Sequence, residues 1–397
     1  MASTSREKTS GTRTLDTDGS PEPAASSGEG PADASGRSLQ DRAGAVWNRL
    51  TGSTRARHLT FALLALLAVM AIIETISPFA NIEFTRFGYL AIAAAGLTVL
   101  TGINGQLSLG HGAFMAVGAY TTALLLSDGR ETPIGLVLVA SVVTALIVGA
   151  IVGIAAARLS GPYIAGATLA LAVAATQVPL AVRALGGEQG LRPSVPDVPV
   201  WVEDLHFLIF ATEIDSSQYL AYLTWISLIV VAVLLANLKV SRVGRRWAAI
   251  RDDEVAAELA GIDLGRDRVV AFVVSCAAAG LAGAFLTLST RLAAPGSFRL
   301  DLSLLLLTAI VLGGLGTLSG AVIGAGLLTY LPPYARDAGE ALGLNALKAA
   351  ELAPLVFGTV MVIVILAAPH GLMGEVFRRR AIRRAKRRMQ AAAASRS

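Results

Sequence analysis

Long apolar segments alternate with short polar ones over most of the chain, from about residue 61 to residue 369. Most have about 17 to 25 residues, the length that an α-helix needs to cross a hydrocarbon core of roughly 30 Å. We predict ten such helices, at residues 61–79, 84–100, 106–126, 133–157, 161–182, 219–238, 268–290, 303–315, 317–333 and 353–369. The pattern predicts an all-α polytopic membrane protein with about ten transmembrane helices.

The eighth and ninth segments form one apolar run that is interrupted only by Gly313, Gly314 and Gly316. Three arrangements of residues 303–333 fit this run. It can fold as two spans, as one long tilted helix or as a re-entrant pair buried in protein.

The composition supports a membrane protein, because 15% of the residues are charged, whereas soluble domains have roughly 25%. The pattern predicts a transmembrane domain at 55–375. Residues 1–54 are rich in Ser, Gly, Ala and Pro, which predicts a disordered N-terminal tail. They do not resemble a secretory signal peptide, because no short apolar segment precedes the first long one. Residues 376–397 form a basic C-terminal tail.

Residues that usually carry catalytic or metal chemistry are sparse in this sequence. The one cysteine, Cys276, lies in an apolar segment, and the four histidines are scattered singly. No GxxxxGK[ST] phosphate loop occurs, so the chain does not hydrolyse ATP by that route. We therefore predict no catalytic site, no metal and no cofactor.

Basic residues indicate the orientation, because Lys and Arg accumulate in cytoplasmic segments. The C-terminal stretch "RRRAIRRAKRRM" and the pair Arg55 and Arg57 flank the apolar region on its two sides. An even number of crossings places both on the same face of the membrane. This predicts that both termini, and the charged segment 243–269 between the sixth and seventh helices, are cytoplasmic.

The charged segment also predicts a short helix at the membrane surface, at about residues 253–260. Asp252 suits the N-cap, while Asp253 and Glu254 lie where the helix dipole favours negative charge. Gly261 stands where a left-handed residue ends a helix. An ordinary solvated loop helix is the alternative interpretation.

Glycines at helical spacing predict close helix packing. Gly316, Gly320 and Gly324 form GxxxGxxxG, and Gly149 and Gly153 repeat the spacing once. Such faces let two helices approach closely in a membrane.

Several polar residues in apolar segments are candidates for lining a substrate path: Gln106, Ser108, His111, Thr168, Thr176 and Gln177. Polar groups at membrane depth are costly unless they are paired or face a wet cavity. The alternatives are a helix-to-helix turn for the first three residues and helix-to-helix hydrogen bonds for the last three. Glu74, near the end of the first helix, is predicted to be hydrated.

The longest segment on the opposite face of the membrane, residues 183–218, contains several Gly and Pro residues. It is predicted to be ordered but irregular. Trp201, Tyr219 and Tyr222 suit the membrane interface. This segment is the expected contact for an extracytoplasmic partner, unless it is a long loop of no specific function.

Four stretches together resemble one family. The segment "AIRDDEVAAELAGID" resembles the cytoplasmic docking loop of ATP-binding cassette importer permeases, in which an acidic residue precedes two alanines and a later glycine. Here these are Glu254, Ala256, Ala257 and Gly261, with Val255 at the position where the general pattern has its acid. The stretches "GINGQLSLGHGAFMAVGAY", "GPYIAGATLALA" and "GGLGTLSGAVIGA" are similar to the branched-chain amino-acid permeases of that class.

The resemblance implies a subunit in a bacterial plasma membrane that works with a second permease subunit, two cytoplasmic ATPase subunits and an extracytoplasmic solute-binding protein. It implies no nucleic-acid partner. The substrates would be leucine, isoleucine and valine; urea, short amides or other amino acids, or a passive channel, are the alternatives. The residues implied in ATPase docking are Arg251, Asp252, Asp253, Glu254, Ala256, Ala257, Glu258 and Gly261.

Overall fold

The computed structural model describes residues 54–394, except 128, 131, 160, 161, 369 and 370. Residues 1–53, which contain nearly all of the predicted disordered tail, lie outside this range. The α-helices of the described residues are α1 Thr54–Thr75, α2 Pro78–Leu97, α3 His111–Leu125, α4 Ile134–Ala156, α5 Pro162–Ala181, α6 Val200–Phe210, α7 Ser216–Val240, α8 Arg242–Asp252, α9 Glu254–Leu259, α10 Leu264–Thr290, α11 Leu300–Gly313, α12 Leu318–Ala341, α13 Ala346–Ala367 and α14 Gly371–Ala394. A π-helix, Thr98–Ile103, continues α2.

Each of the ten predicted apolar segments contains a helix. Eight helices of the described residues are long and apolar enough to cross a membrane. The two others are α3, which has 15 residues, and α12, whose last turns contain Arg336, Asp337 and Glu340. The predicted all-helical membrane architecture is confirmed.

Two predicted helix boundaries were wrong for local reasons. The first segment was extended to residue 79, but Ser77 caps a new helix that begins at Pro78, where proline suits the first turn. The third was begun at residue 106, but helix α3 begins only at His111. The boundary of the basic tail at 375/376 falls inside helix α14.

Residues 303–333 form two helices rather than one. Helices α11 and α12 are joined by a turn in which Gly314 and Gly316 have φ angles of 122° and 75°. These backbone conformations are costly for residues that have a Cβ atom. Because Gly316 lies in this turn, only Gly320 and Gly324 of the predicted three-glycine face are helical.

Helix α10 lies at the centre of the bundle and packs against α2, α3 and α4. Small residues permit this close packing. A Cβ atom added at Gly280 of α10 would lie 2.3 Å from the Cβ of Ala145 on α4. On α4, an added Cβ at Gly149 would lie 2.6 Å from the Cβ of Cys276, which agrees with the predicted role of Gly149. Gly153 is in ordinary contact with Phe272 at 3.4 Å.

The two ends of the bundle carry different segments of the chain. We call the end that carries α8 and α9 the loop end. Here His58 of α1 lies 2.9 Å from Asn237 of α7, and helix α14 begins with Gly371 beside Gly314. The start of α1, the start of the basic helix and the charged segment are therefore all at the loop end.

We call the opposite end, which carries residues 183–215, the far end. This segment is more regular than predicted, because it contains helix α6. Leu191 and Ala293 exchange backbone hydrogen bonds of 2.9 Å. Glu74 accepts a hydrogen bond of 2.5 Å from the hydroxyl group of Tyr222 and lies 3.0 Å from His206 Nε2. Glu74 thus joins α1, α6 and α7 and is partly exposed, so its hydration stays a prediction.

Candidate functional site

The loop-end site is built on two short helices that buried side chains hold against the bundle. Trp247 and Ile250 of α8 are fully buried, and so is Ala257 of α9. Arg246 forms an ion pair of 2.9 Å with the buried Asp267 of α10. The two helices are therefore fixed to α10 and do not form a freely moving loop.

Helix α9 is defined by its caps. Asp253, and not the predicted Asp252, is the N-cap, since its carboxylate accepts a hydrogen bond of 3.0 Å from Ala256 N. Asp252 ends α8. Gly261 has a φ angle of 81°, while Gly261 N donates to Glu258 O and Ile262 N donates to Ala257 O. This pair of bonds is a Schellman motif, which explains why glycine stands at this position.

Two arginines connect the short helices to the spans. Arg268 of α10, which is almost wholly buried, forms an ion pair of 2.6 Å with Glu254, the first residue of α9. Arg251 of α8 donates a hydrogen bond of 2.9 Å to Gly102 O at the end of the π-helix. Side-chain contacts thus connect the two short helices to α10 and to the π-helix that continues α2.

The predicted docking residues divide into two groups. Arg251, Asp253, Glu254, Ala257 and Gly261 make contacts or caps within the chain, as described above. The side chains of Ala256 and Glu258 are exposed, and Asp252 is exposed and pairs with Arg251 at 2.8 Å.

The sequence analysis missed two exposed apolar residues of α9. Val255 is 68% exposed and Leu259 is 85% exposed. A spacing of four residues places them on one side of the helix. The signal in the sequence is a pair of apolar residues at helical spacing inside a charged segment. We call Val255 and Leu259 the apolar pair.

The segment that connects the π-helix to α3 contains Gln106 and Ser108 and ends at His111. All three residues are buried. Gln106 donates a hydrogen bond of 3.2 Å to the carbonyl oxygen of Arg268. His111 Nε2 lies 3.0 Å from Ala93 O. Ser108 Oγ has no hydrogen-bond partner among the described residues. The bonds of Gln106 and His111 match the turn interpretation, and a role in the substrate path stays a prediction.

The three polar residues of α5 do not form one stripe. Thr168 is buried and accepts a hydrogen bond of 3.0 Å from Leu109 N. Nine residues at about 100° each place Gln177 half a turn from Thr168, and Gln177 is exposed. Thr176 is bonded to Val173 O of its own helix. None of the six predicted path residues lines either of two cavities, of about 1210 Å³ and 230 Å³.

The larger cavity opens in the far-end half of the bundle, between α2, α10, α11, α12 and α13. We call it the far-end cavity. Its volume, about 1210 Å³, exceeds the roughly 300–1,000 Å³ of typical small-molecule pockets. Its polar lining residues are Glu83, Arg86, Tyr89, Ser289, Thr290, Ser297, Asp301 and Thr308.

Glu83 and Arg86 are one helical turn apart on α2, with 3.8 Å between the closest carboxylate and guanidinium atoms. Arg86 lies eight residues after Pro78, which is about 12 Å along the helix. An intramembrane charge that faces a cavity suggests a functional site. Neither residue was predicted, because Arg86 is a single charge within the apolar segment 84–100 and Glu83 directly precedes that segment.

Comparison with known proteins now identifies the family. Residues 81–365 match the family described as the permease component of branched-chain amino acid transport systems. The chain belongs to this family. The matched range includes the apolar pair and the whole lining of the far-end cavity, so both features lie in the part of this permease that its family shares.

Individual relatives are similar over most of the chain. The permease protein LivM of a high-affinity branched-chain amino acid transport system from Salmonella typhimurium is 29% identical over 71% of this chain and 67% of its own length. The corresponding protein LivH from Escherichia coli is 26% identical over 72% of this chain and 91% of its own. A probable LivM of Methanocaldococcus jannaschii is 24% identical over 74% and 88%. With the eight candidate spans, these matches make the chain a multi-pass transport permease.

Proposed function

We propose that this permease is a subunit of an ATP-binding cassette importer that translocates leucine, isoleucine and valine delivered by an extracytoplasmic binding protein. The loop end is cytoplasmic and carries both termini; the far end faces outward. A second permease subunit completes the path, and two partner ATPase subunits hydrolyse ATP. The location is the bacterial plasma membrane.

The apolar pair is the observation that supports this proposal best. A solvated loop helix has no reason to present Val255 and Leu259 to water, whereas a protein partner would bury them. The acidic residues Asp252 and Glu258 border the pair, which gives the apolar centre and polar rim of a protein interface. A passive channel has no use for this surface.

The contacts of α8 and α9 supply a mechanism of coupling. ATP-driven closure of the ATPases would move α9, and the ion pair between Glu254 and Arg268 would pass that movement to α10. Arg251 would pass it to Gly102 and thus to α2. Because α2 and α10 line the far-end cavity, a rigid-body shift at the loop end changes the opening at the far end.

The apolar pair gives the first prediction. The double substitution Val255→Asp and Leu259→Asp should weaken ATPase binding by about 3 kcal/mol, roughly a hundredfold, as removal of interface hot spots does. Because both side chains are exposed, the spans should fold and insert normally. Co-purification of the ATPase from detergent, at equal membrane abundance, measures the effect. The matched control is Val240→Asp, at an exposed apolar residue that ends α7 at the loop end and lies outside α9. Normal co-purification of the aspartate variant would refute the docking surface.

The orientation gives the second prediction. Cysteine replacing Asp204 of α6 should react with a membrane-impermeant maleimide in intact cells, whereas cysteine replacing Glu258 of α9 should react only after permeabilisation. Both positions are exposed in the permease, and the permease is expressed without its ATPases, so that access to the reagent depends on the side of the membrane. The native Cys276 is buried and contributes little background. The opposite labelling pattern would invert the orientation and remove the docking argument.

A further inference from the structure

Two residues of opposite charge, Glu83 and Arg86, lie next to each other in the wall of the far-end cavity. The proposed function has not yet given them a role. The carboxylate of Glu83 is 31% exposed and the guanidinium of Arg86 is 49% exposed, and both line the cavity. Oxygen Oε2 of Glu83 is itself buried and accepts no hydrogen bond from the described residues. The contact of 3.8 Å between the two side chains is too long for a hydrogen bond.

Glu83 and Arg86 therefore each have hydrogen-bonding groups that are available to a ligand. A guanidinium group has five N–H donors in a planar fork that matches a carboxylate. The Glu83 side chain is 31% exposed, so its carboxylate can accept hydrogen bonds from an ammonium group in the cavity. Since residues three apart share a face of a helix, the two groups present one negative and one positive charge side by side to the cavity.

The remaining lining complements a small apolar side chain. Leu286 of α10, Leu302 and Leu305 of α11 and Leu328 of α12 line the same cavity. They are drawn from three helices, so they surround the space that the charged pair of α2 faces. The cavity thus combines two charges of opposite sign with an apolar wall.

We propose that Glu83 and Arg86 form a recognition site for zwitterionic α-amino acids inside the permease itself. Arg86 binds the α-carboxylate, Glu83 accepts hydrogen bonds from the α-ammonium group, and the leucines contact the apolar side chain. Urea and short amides have neither charge and leave both residues unsatisfied. The site rests on the proposed function and extends it, because substrate selection is then not left to the binding protein alone.

The test uses the complete importer, reconstituted with its ATPases and with saturating leucine-loaded binding protein. Arg86→Gln and Glu83→Gln should each lower the initial rate of leucine uptake about tenfold or more, the effect of losing a charge-assisted hydrogen bond. Basal ATP hydrolysis and ATPase co-purification should stay unchanged, because both residues are far from the loop end. Arg299→Gln is the matched control: Arg299 is not among the residues that line the cavity and is 71% exposed, so its loss should leave leucine uptake within about twofold.

Leucine uptake near the wild-type rate in both Gln variants would overturn the proposal, even where the wild-type importer works as expected. If Arg86→Gln prevents assembly, Arg86→Lys replaces it in the test, because lysine keeps the charge and lacks the planar guanidinium group. Wild-type uptake in the assembled Arg86→Lys variant, together with wild-type uptake in Glu83→Gln, would also overturn the proposal. Failure of the proposed function looks different: the wild-type chain would bind no ATPase, or would transport urea or amides instead of leucine.

Discussion

Replacing Gly324 by leucine is expected to prevent accumulation of the folded permease. Gly324 of α12 faces α11, and a Cβ atom added there would lie 1.9 Å from Ala309 O. The obstacle is backbone rather than the end of a flexible side chain, so the two helices have to separate. We expect a cost of about 3 kcal/mol or more, at the upper end of the range for overpacked cores. Gly320 is obstructed as well, because an added Cβ atom there would lie 2.3 Å from the hydroxyl oxygen of Thr317 and 2.6 Å from the backbone oxygen of Gly313.

The measurement is the amount of monodisperse protein extracted from membranes. Gly324→Ala should already lower it, because the Cβ atom alone makes the clash. Gly166→Leu on α5 is the matched control, since a Cβ atom there meets nothing within 4 Å. Normal accumulation of Gly324→Leu would show that α11 and α12 do not pack as described.

The helices were predictable from sequence because the membrane imposes a simple rule on them. A span must be apolar over its whole length, so the ten segments stood out without knowledge of their neighbours. The boundaries were less predictable, since Ser77 and Pro78 form a local start signal inside a continuous apolar run. Helix α12 was predictable as apolar only up to its last turns, where Arg336 and Asp337 extend it beyond the predicted end.

The site was predictable only where its contacts are local. The caps of α9 join residues at most five apart. Gly261 therefore predicted the C-terminal cap of this helix. The ion pair of Glu254 joins it to Arg268, on the next helix, and hydrophobic patterning carries no information on such pairing. The far-end cavity gathers residues from five helices between 82 and 361, and its position follows from packing alone. The spacing of Val255 and Leu259 could be read from the sequence, but the predicted docking residues were chosen from the charged, alanine and glycine positions around them.

Glu254 makes a contact within the chain that the resemblance did not imply. The resemblance placed its carboxylate among the groups that meet the ATPase, whereas the structure pairs it with Arg268 of the same chain at 2.6 Å. Loss of one partner from a fully buried pair costs about 3–5 kcal/mol. Since Glu254 is half exposed, we expect a smaller cost here, about 1–2 kcal/mol. We expect a chain without the Glu254 carboxylate to fold, but to lack the ion pair that connects α9 to α10.

Glu254→Ala is therefore expected to separate ATPase binding from transport. The ATPase should still co-purify, because the apolar pair is intact, and basal ATP hydrolysis should continue. Leucine uptake should fall about tenfold or more, within the range of 5- to 150-fold that coupling free energies of 1–3 kcal/mol produce. The exchanged pair, Glu254→Arg with Arg268→Glu, should restore part of the uptake because it restores the attraction. Glu340→Ala is the control: it removes an exposed ion pair with Arg336 on α12, outside the docking segment, and should change uptake little. If Glu254→Ala instead loses the ATPase and the uptake together, its carboxylate contacts the ATPase directly, and α9 transmits movement by another contact.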